Sequence, residues 1–228
     1  MDPHVLVLVH GATGGTGRLL VDRLLADGHQ VRAFVRDPDK GAPLAKRGAE
    51  VVPGDLTDPD ATALTDATRG VDAVAFCAGS GASTGKDMTL LVDLHGAVRT
   101  IDAAVEAGAD RYVMLSSMAA DDPLGSSEAM APYLAAKHAA DRVLAASGLR
   151  WMVVRPGALT DDPPTDQVRT GTPRIARAER GDRSISRADV AAVMAASLEA
   201  DATGVTFEVL SGDRPVAEAV ADLAAGSA

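Results

Sequence analysis

Short continuous apolar runs alternate along the chain with longer segments whose apolar positions recur at helical spacing. Residues 5–9 form a continuous run of valine and leucine, which is typical of a strand buried on both faces. A glycine-rich turn follows directly, and residues 18–25 have the pattern of an amphipathic helix that ends near Gly28. With the strand predicted at residues 30–35, the chain begins with a strand, a turn, a helix and a second strand.

The same alternation continues through the rest of the chain. Residues 156–181 are rich in Pro, Gly, Thr and Asp and predict a loop region over the functional face, with one short strand at 174–176. Regular alternation indicates the α/β class, with a doubly wound parallel sheet in a three-layer α/β/α Rossmann fold. Further strands are predicted at residues 50–52, 71–77, 111–115, 151–154 and 206–210, and further helices at 58–68, 89–107, 128–147, 188–199 and 215–224.

Length and composition limit the classes of protein that this chain can belong to. Its 228 residues favour one domain, residues 1–228, with a small C-terminal region at about residues 156–228. Apolar residues make up 46% of the chain and aromatic residues only 3%, so valine, leucine and alanine must build the core. The formal net charge of -10, without any block of Lys and Arg, disfavours binding to DNA or RNA.

The single cysteine and the N-terminal segment bear on the compartment. Cys77 cannot form an internal disulfide, which fits a reducing cytoplasm. Residues 1–9 lack a basic segment, and their apolar run is too short for a signal peptide or a membrane span. The five histidines are scattered, without the Cys and His spacing of a metal site. We therefore expect a cytoplasmic monomer or homodimer that acts on a small-molecule substrate, with no nucleic acid or membrane as partner.

The turn after the first strand carries the pattern Gly11-x-x-Gly14-x-x-Gly17. Glycines at this spacing allow a tight turn, a close approach of the backbone to a pyrophosphate, and close packing of helix on strand. The helix that follows offers free N–H groups and the positive end of its dipole. The alternative is an ordinary glycine-rich turn, but the strand before it and the helix after it are the context that dinucleotide binding requires. The predicted phosphate site also includes Ala12, Thr13, Gly15 and Thr16.

The end of the second strand bears on which dinucleotide is bound. Arg36 comes first after the strand, and a guanidinium there can pair with the 2′-phosphate of NADP. The alternative is that Arg36 is a solvated charge and that Asp37 binds the ribose hydroxyls of NAD. We therefore predict NADP, with NAD as the second choice. Asp55, after the third strand, is expected to accept a hydrogen bond from the adenine or, like Asp58, to cap a helix.

Tyr133 and Lys137 lie four residues apart on the predicted helix 128–147, a spacing that places both side chains on one face. An ammonium group near a phenol stabilises the phenolate, so the phenol can exchange a proton near neutral pH. Ser116 and Ser117 end the fifth strand, at the same carboxyl edge of the sheet as the glycine turn. This placement indicates a proton-transfer site. The alternative is a core-facing tyrosine beside a solvated lysine.

Together these residues resemble the short-chain dehydrogenase/reductase superfamily, and most closely its atypical, NmrA-like group of NAD(P)H-binding proteins, which is related to the NAD-dependent epimerase/dehydratase family. The likeness covers nearly the whole chain. It is carried by the glycine turn, Arg36, Tyr133, Lys137, and the segments Gly54-Asp55-Leu56, Cys77-Ala78-Gly79, Ser116-Ser117, Arg155-Pro156-Gly157 and Ile185-Ser186-Arg187-Ala188-Asp189-Val190-Ala191.

The resemblance implies a role for each matched position. Tyr133 would be the general acid/base, Lys137 would bind the nicotinamide ribose and tune Tyr133, and Ser117, or else Ser116, would orient the substrate oxygen. Around the cofactor, Thr13, Gly14 and Thr16 would line the diphosphate, Asp55 and Leu56 the adenine, Ala78 and Gly79 the adenosine ribose, and Pro156 and Gly157 the nicotinamide. The complete predicted cofactor-binding set is Gly11, Ala12, Thr13, Gly14, Gly15, Thr16, Gly17, Arg36, Asp55, Leu56, Cys77, Ala78, Gly79, Ser116, Lys137, Pro156 and Gly157.

Three functions remain open on this basis. The first is an NAD(P)-dependent oxidoreductase that transfers hydride to or from a small carbonyl or hydroxyl substrate. The second is an NAD-dependent epimerase or dehydratase of a sugar-like substrate, although the short region after Arg155 favours a smaller substrate. The third is a non-catalytic NADP(H)-binding redox sensor. The presence of both Tyr133 and Lys137 favours catalysis.

Overall fold

The structure, a computed structural model, describes residues 5–81, 84–179 and 181–226. Residues 1–4, part of the N-terminal segment interpreted above, lie outside this range. The strands are β1 (Leu6–His10), β2 (Gln30–Val35), β3 (Glu50–Pro53), β4 (Ala73–Phe76), β5 (Arg111–Leu115), β6 (Arg150–Pro156), β7 (Ala158–Thr160), β8 (Gln167–Gly171), β9 (Ser184–Ser186), β10 (Val205–Ser211) and β11 (Arg214–Pro215). The α-helices are α1 (Gly15–Ala26), α2 (Pro38–Ala45), α3 (Thr62–Thr68), α4 (Lys86–Met88), α5 (Ala97–Ala107), α6 (Ala131–Ala145), α7 (Arg187–Glu199) and α8 (Val216–Ala225), with a π-helix (Thr89–Gly96) between α4 and α5.

The main sheet has the strand order β11-β8-β10-β6-β5-β4-β1-β2-β3. Its neighbouring strands are parallel except that β8 runs antiparallel to β10 and β11. A separate parallel pair is formed by β7 and β9. The chain leaves β3 at one edge of the sheet and returns to β4 on the other side of β1, so the strand order reverses between β1 and β4. In sheets of this type, ligands bind in the crevice at the carboxyl ends of the strands beside such a reversal.

Helices cover both faces of the sheet. Within β1, Val7 and Val9 pack into a core with α1 and α7, whereas Leu8 packs into a second core with α3, α5 and α6. Because every side chain of a central parallel strand is buried against one helical layer or the other, the strand needs a continuous apolar run rather than an alternating one. The predicted three-layer α/β/α fold with a doubly wound, mostly parallel sheet is therefore confirmed.

The region after β6 differs from the prediction. No strand occurs at the described residues 174–176, so that expectation is wrong. Two other strands lie in the described part of this region: β7 pairs with β9, and β8 belongs to the main sheet. It joins the sheet by antiparallel pairing with β10, in which Leu210 lies opposite Arg169. An edge strand of this kind is held mainly by backbone hydrogen bonds to its neighbour, so its own side-chain pattern carries little signal.

The predicted helices also differ in their starting points. Helix α3 begins at Thr62 rather than at residue 58, because Asp58 and Asp60 each accept a hydrogen bond from the backbone N–H two residues later. Such turns occupy the segment that precedes the helix. Helix α2 was not predicted, since Pro43 lies inside it. No helix among the described residues is long and apolar enough to cross a membrane.

Candidate functional site

The glycine turn joins the carboxyl end of β1 to α1 and leaves no room for side chains at two positions. Gly11 has a φ of +74°, and a Cβ atom there would lie 2.6 Å from the backbone nitrogen of Ala78. A Cβ atom on Gly17 would overlap the carbonyl oxygen of Gly11. Gly14 is the N-cap of α1 and carries no side chain to cap the first N–H groups. This geometry fits the diphosphate of a dinucleotide, which those N–H groups can bind.

A cavity of about 250 Å³ lies beside the turn, in the crevice where the strand order reverses. It brings together the loops that follow β1, β2, β3 and β4. Phe34, Lys40 and Ser80 line it as well, although the sequence pattern did not single them out. The predicted cofactor residues in its lining are Gly11, Thr13, Gly14, Arg36, Asp55, Leu56, Cys77, Ala78 and Gly79.

The remaining predicted cofactor residues lie outside the lining of this cavity. Thr16 and Gly17 are buried in the first turn of α1, whereas Gly15 is exposed at its start. Ala12 is buried between β1 and α1. Ser116, Lys137, Pro156 and Gly157 lie further along the same edge of the sheet, after or beside β5 and β6.

Two cations and one carboxylate meet where β2 ends. The side chain of Asp37 caps α2 by accepting a hydrogen bond from the backbone nitrogen of Asp39 at 3.1 Å. Lys40 Nζ lies 3.9 Å from the other carboxylate oxygen of Asp37. Arg36 is exposed and forms no ion pair with the described residues. Asp37, the carboxylate that would bind the ribose of NAD, is therefore engaged in capping α2. The guanidinium of Arg36 is available to a ligand.

Asp55 holds its own loop rather than a helix. Its Oδ1 accepts hydrogen bonds from the backbone nitrogen of Thr57 at 2.8 Å and from the Thr57 hydroxyl at 2.9 Å. The hydrogen bond at the start of α3 is accepted by Asp60 instead. The helix-capping alternative for Asp55 is therefore wrong, and so is the same alternative for Asp58. The other carboxylate oxygen, Asp55 Oδ2, accepts no hydrogen bond from the described residues. Asp55 also lines the cavity.

Tyr133 and Lys137 share one face of α6, as predicted from their spacing. The Lys137 side chain is 4% exposed, and its Nζ lies 5.9 Å from the centre of the Tyr133 ring. Nζ donates a hydrogen bond to the carbonyl oxygen of Leu115 at 3.1 Å and lies 3.3 Å from Asp93 Oδ1. Tyr133 itself is half-buried. The alternative of a solvated lysine is therefore wrong, because this lysine is an interior cation.

The charge of Lys137 is maintained by its surroundings. Burial by itself lowers the pKa of this ammonium group, but its electrostatic interactions with Tyr133, Asp93 and Asp141 outweigh the burial and raise the pKa above its ordinary value. Lys137 is thus a permanent cation at neutral pH. A cation beside a phenol stabilises the phenolate when a proton leaves.

The two serines after β5 have different surroundings. Ser116 is 4% exposed, and its hydroxyl donates to Asp141 Oδ2 at 2.9 Å. Arg155 binds the same oxygen through Nε at 3.0 Å and Nη2 at 2.8 Å. Ser117 is half-buried, and within the described part of the chain its hydroxyl makes a single, long hydrogen bond of 3.3 Å to the carbonyl oxygen of Met118. Of the two, Ser117 has the hydroxyl that is free to turn toward a ligand.

The end of β6 requires a glycine for a local reason. A Cβ atom on Gly157 would overlap the carbonyl oxygen of Arg183 and the side chain of Leu210. Pro156 before it is buried.

Cys77, at the end of β4, has its Sγ 3.6 Å from Met194 Sδ, and burial raises the pKa of its thiol to about 12. Cys77 therefore contributes backbone and bulk to the cavity rather than a reactive thiolate.

Asp93 is the residue of the site that sequence reasoning missed. It lies in the π-helix, is 1% exposed, and accepts a hydrogen bond from the backbone nitrogen of Ser80 at 2.9 Å. The signal that could have found it is an acidic residue in the otherwise apolar run of residues 90–94. Such a buried charge needs a partner, and that partner is Lys137.

Comparison with known proteins agrees with this site. The model of the family described as NAD(P)H-binding matches residues 11–201. The chain belongs to this family. The match begins at the first glycine of the turn and extends through α7. The resemblance to the NmrA-like, NAD(P)H-binding group of short-chain dehydrogenase/reductase proteins is thereby confirmed, and the bound group is a nicotinamide dinucleotide.

Three relatives place the chain within the family. The "Uncharacterized sugar epimerase YhfK" of Bacillus subtilis is 43% identical over 221 residues, which cover 95% of this chain and 99% of that protein. A solved structure from Bacillus halodurans, provisionally named an NAD-dependent epimerase/dehydratase, is 40% identical with a TM-score of 0.89, and the match covers 96% of this chain and 99% of that one. ChuY of Escherichia coli O157:H7, named an anaerobillin reductase, is 25% identical with a TM-score of 0.76, covering 91% and 98%.

Proposed function

We propose that this protein is an NADP-dependent oxidoreductase that interconverts a small carbonyl compound and its alcohol, with Tyr133 as the general acid/base. The observation that carries the proposal is the interior cation Lys137 beside Tyr133, on the same sheet edge as the glycine turn. A structural tyrosine would not need a buried charge next to it, because burying an ammonium group costs free energy. The reductase name of ChuY supports the same class of reaction.

The proposed roles follow from the surroundings of each side chain. When bound in the crevice beside the glycine turn, the reduced dinucleotide would supply the hydride that the carbonyl carbon accepts. Tyr133 donates the proton that the carbonyl oxygen needs, and Lys137 stabilises the phenolate left behind. Ser117 donates a hydrogen bond to the same oxygen and fixes its position. In the direction of alcohol oxidation, Tyr133 accepts the hydroxyl proton.

The choice of NADP within this proposal rests on Arg36 and Lys40. Both line the cavity where β2 ends, and Asp37 between them is used as the cap of α2. A guanidinium and an ammonium group together match the two negative charges of a 2′-phosphate. NAD is the second choice, because the exposed Arg36 can also remain in solvent.

A second candidate is an epimerase or dehydratase of a sugar-like substrate, which the names of the relatives at 43% and 40% identity favour. Such an enzyme regenerates its dinucleotide in each cycle and keeps it bound. Absorbance of a dinucleotide that copurifies with the protein would favour this candidate. A cofactor that is consumed in proportion to product favours the oxidoreductase.

The test of the proposed function is the variant Tyr133→Phe, assayed with a panel of small aldehydes and ketones. Loss of the phenolic proton is expected to reduce turnover by about 10²–10⁴-fold with nearly unchanged NADPH affinity. Tyr112→Phe is the matched control, because Tyr112 is the other tyrosine and its buried hydroxyl bonds Thr100. Equal turnover in Tyr133→Phe and the wild type would reject the role of Tyr133 as the general acid/base, whereas a redox sensor would show no turnover in either protein.

A further inference from the structure

A second cavity, of about 610 Å³, lies on the same side of the sheet as the proposed reacting groups. Its lining includes Ala119, two residues after Ser117, and Arg183, whose carbonyl oxygen accepts a hydrogen bond from Ala158 at 2.8 Å. Nη2 of Arg183 lies 3.7 Å from Met118 Sδ. The cavity therefore adjoins both the loop that carries Ser117 and the end of β6. A ligand in this cavity would therefore lie next to the loop that carries Ser117.

Most of the charges around this cavity are already engaged. Asp122 accepts a hydrogen bond from the backbone nitrogen of Gly125 at 3.2 Å. Glu208 is 1% exposed and accepts from the backbone nitrogen of Ile175 at 2.9 Å. Arg174 donates to Asp121 at 2.6 Å. Each of these charged groups is thus held in place by a hydrogen bond to the protein.

Arg183 differs from these groups. It is exposed on the cavity wall, and within the described ranges no carboxylate lies within ion-pair distance of its guanidinium. Among the residues that the structure describes, the hydrogen-bond partner of this guanidinium is the sulfur atom of Met118, which is a weak acceptor. A guanidinium presents a planar pair of donors that matches a carboxylate. The apolar neighbours Ala119 and Ile175 can cover the carbon skeleton of a substrate.

We propose that Arg183 binds a carboxylate of the substrate, so that the substrate is a small oxo acid or hydroxy acid rather than a neutral sugar. A carboxylate is favoured over a phosphate because one guanidinium matches the single negative charge of a carboxylate, whereas a phosphate monoester carries nearly two near neutral pH. This assignment of the substrate rests on the proposed function for the reaction that the acid undergoes. Binding of the acid to Arg183 does not depend on that reaction.

The test measures binding of matched ligands by calorimetry to the protein saturated with oxidised NADP. The probes are 4-formylbenzoate, its neutral amide 4-formylbenzamide, and phenyl phosphate. The acid is expected to bind at least about tenfold more tightly than the amide, because the acid alone can form charge-assisted hydrogen bonds with the guanidinium. In Arg183→Gln this preference should disappear. In the control Arg69→Gln, an exposed arginine that pairs with Asp66 on α3, the preference should remain.

Several outcomes would overturn the proposal. They are equal affinity for acid and amide in the wild type, an acid preference that survives in Arg183→Gln, tighter binding of phenyl phosphate than of the acid, or no binding of any probe. Failure of the proposed function is distinguishable from these. In that case Tyr133→Phe would leave turnover unchanged, while acid binding would still depend on Arg183.

Discussion

Lys137 Nζ and Asp93 Oδ1 lie 3.3 Å apart in the interior, where the two side chains are 4% and 1% exposed. Lys137 comes from α6 and Asp93 from the π-helix, and these helices pack against each other. The second oxygen of Asp93 is held by the backbone nitrogen of Ser80. The ion pair thus couples the loop after β4, which borders the cofactor cavity, to the helix that carries Tyr133. Asp93 is a positioning residue that acts through Lys137.

We expect Asp93→Asn to destabilise the protein by about 3 kcal/mol, because it leaves the ammonium group of Lys137 buried without its counter-charge. The measurement is urea unfolding near neutral pH. The control is Asp102→Asn, an exposed residue of α5, which should change the free energy of unfolding little. If both variants unfold at the same urea concentration as the wild type, the pair does not contribute to stability.

The pH dependence of the same pair has a definite sign. The pKa of Lys137 is raised in the folded protein because the facing negative charges outweigh burial, so the folded state holds this proton more tightly. Its contribution to stability is fully present below the ordinary lysine value of 10.5 and is lost as the pH rises through the folded pKa. The difference in unfolding free energy between wild type and Asp93→Asn should therefore decrease in alkaline solution.

Replacement of Arg36 by Ala should lower the affinity for NADPH by about tenfold while leaving the affinity for NADH nearly unchanged. The reason is that only NADPH carries the 2′-phosphate that the guanidinium would bind. Fluorescence titration with both cofactors measures the two affinities. Lys46→Ala removes a nearby exposed cation at the end of α2 and should leave both affinities as they are. Equal losses of affinity for NADPH and NADH in Arg36→Ala would favour NAD as the cofactor.

Gly17→Ala should abolish dinucleotide binding and destabilise the protein, although alanine ordinarily stabilises a helix by about 1 kcal/mol relative to glycine. The sign is reversed because the new Cβ atom would overlap the carbonyl oxygen of Gly11 and push α1 away from β1. Thermal unfolding with and without NADPH measures both effects. Gly226→Ala is the control, because a Cβ atom at the end of α8 meets only an ordinary contact of 3.5 Å. A stabilising effect of Gly17→Ala would contradict this account of the turn.

His10 should make the protein sensitive to acid. Burial lowers its pKa from 6.5 to about 3, so the unfolded chain takes up a proton that the folded protein excludes. Stability is therefore lost as the pH falls below 6.5, with a slope that approaches about 1.4 kcal/mol per pH unit. In His10→Leu this component should be absent. Unfolding free energies at several pH values between neutrality and pH 4 measure the difference.

A packing control separates titration from the loss of contacts. The ring of His10 lies 5.2 Å from that of Phe34 and 6.3 Å from that of Phe76. Phe76→Leu alters the same core without removing a titratable group, so its cost should not vary with pH. If the stability difference between His10→Leu and the wild type is also constant with pH, His10 does not titrate as proposed.

The adenosine half of the site could be predicted because its signals are local. The positive φ of Gly11 and the close approach of Gly17 to the carbonyl oxygen of Gly11 both arise within the turn itself, from residues near one another in the chain. The apolar run of β1 is local in the same way. The spacing of Tyr133 and Lys137 fixes a shared helix face by the helical repeat alone. For these features, the sequence determines the structure within a single turn or element.

The tertiary structure decided what depends on contacts between distant segments. Burial of Lys137 beside Asp93, the hydrogen bond from Ser116 to Asp141, and the position of Arg183 on a second cavity each join elements far apart in sequence. Strand β8 depends on its antiparallel backbone pairing with β10, which is distant in the sequence. Periodicity and turn chemistry report the conformation of one segment. The environment of a charge or hydroxyl is set by whichever segments pack around it, and that is a property of the assembled fold.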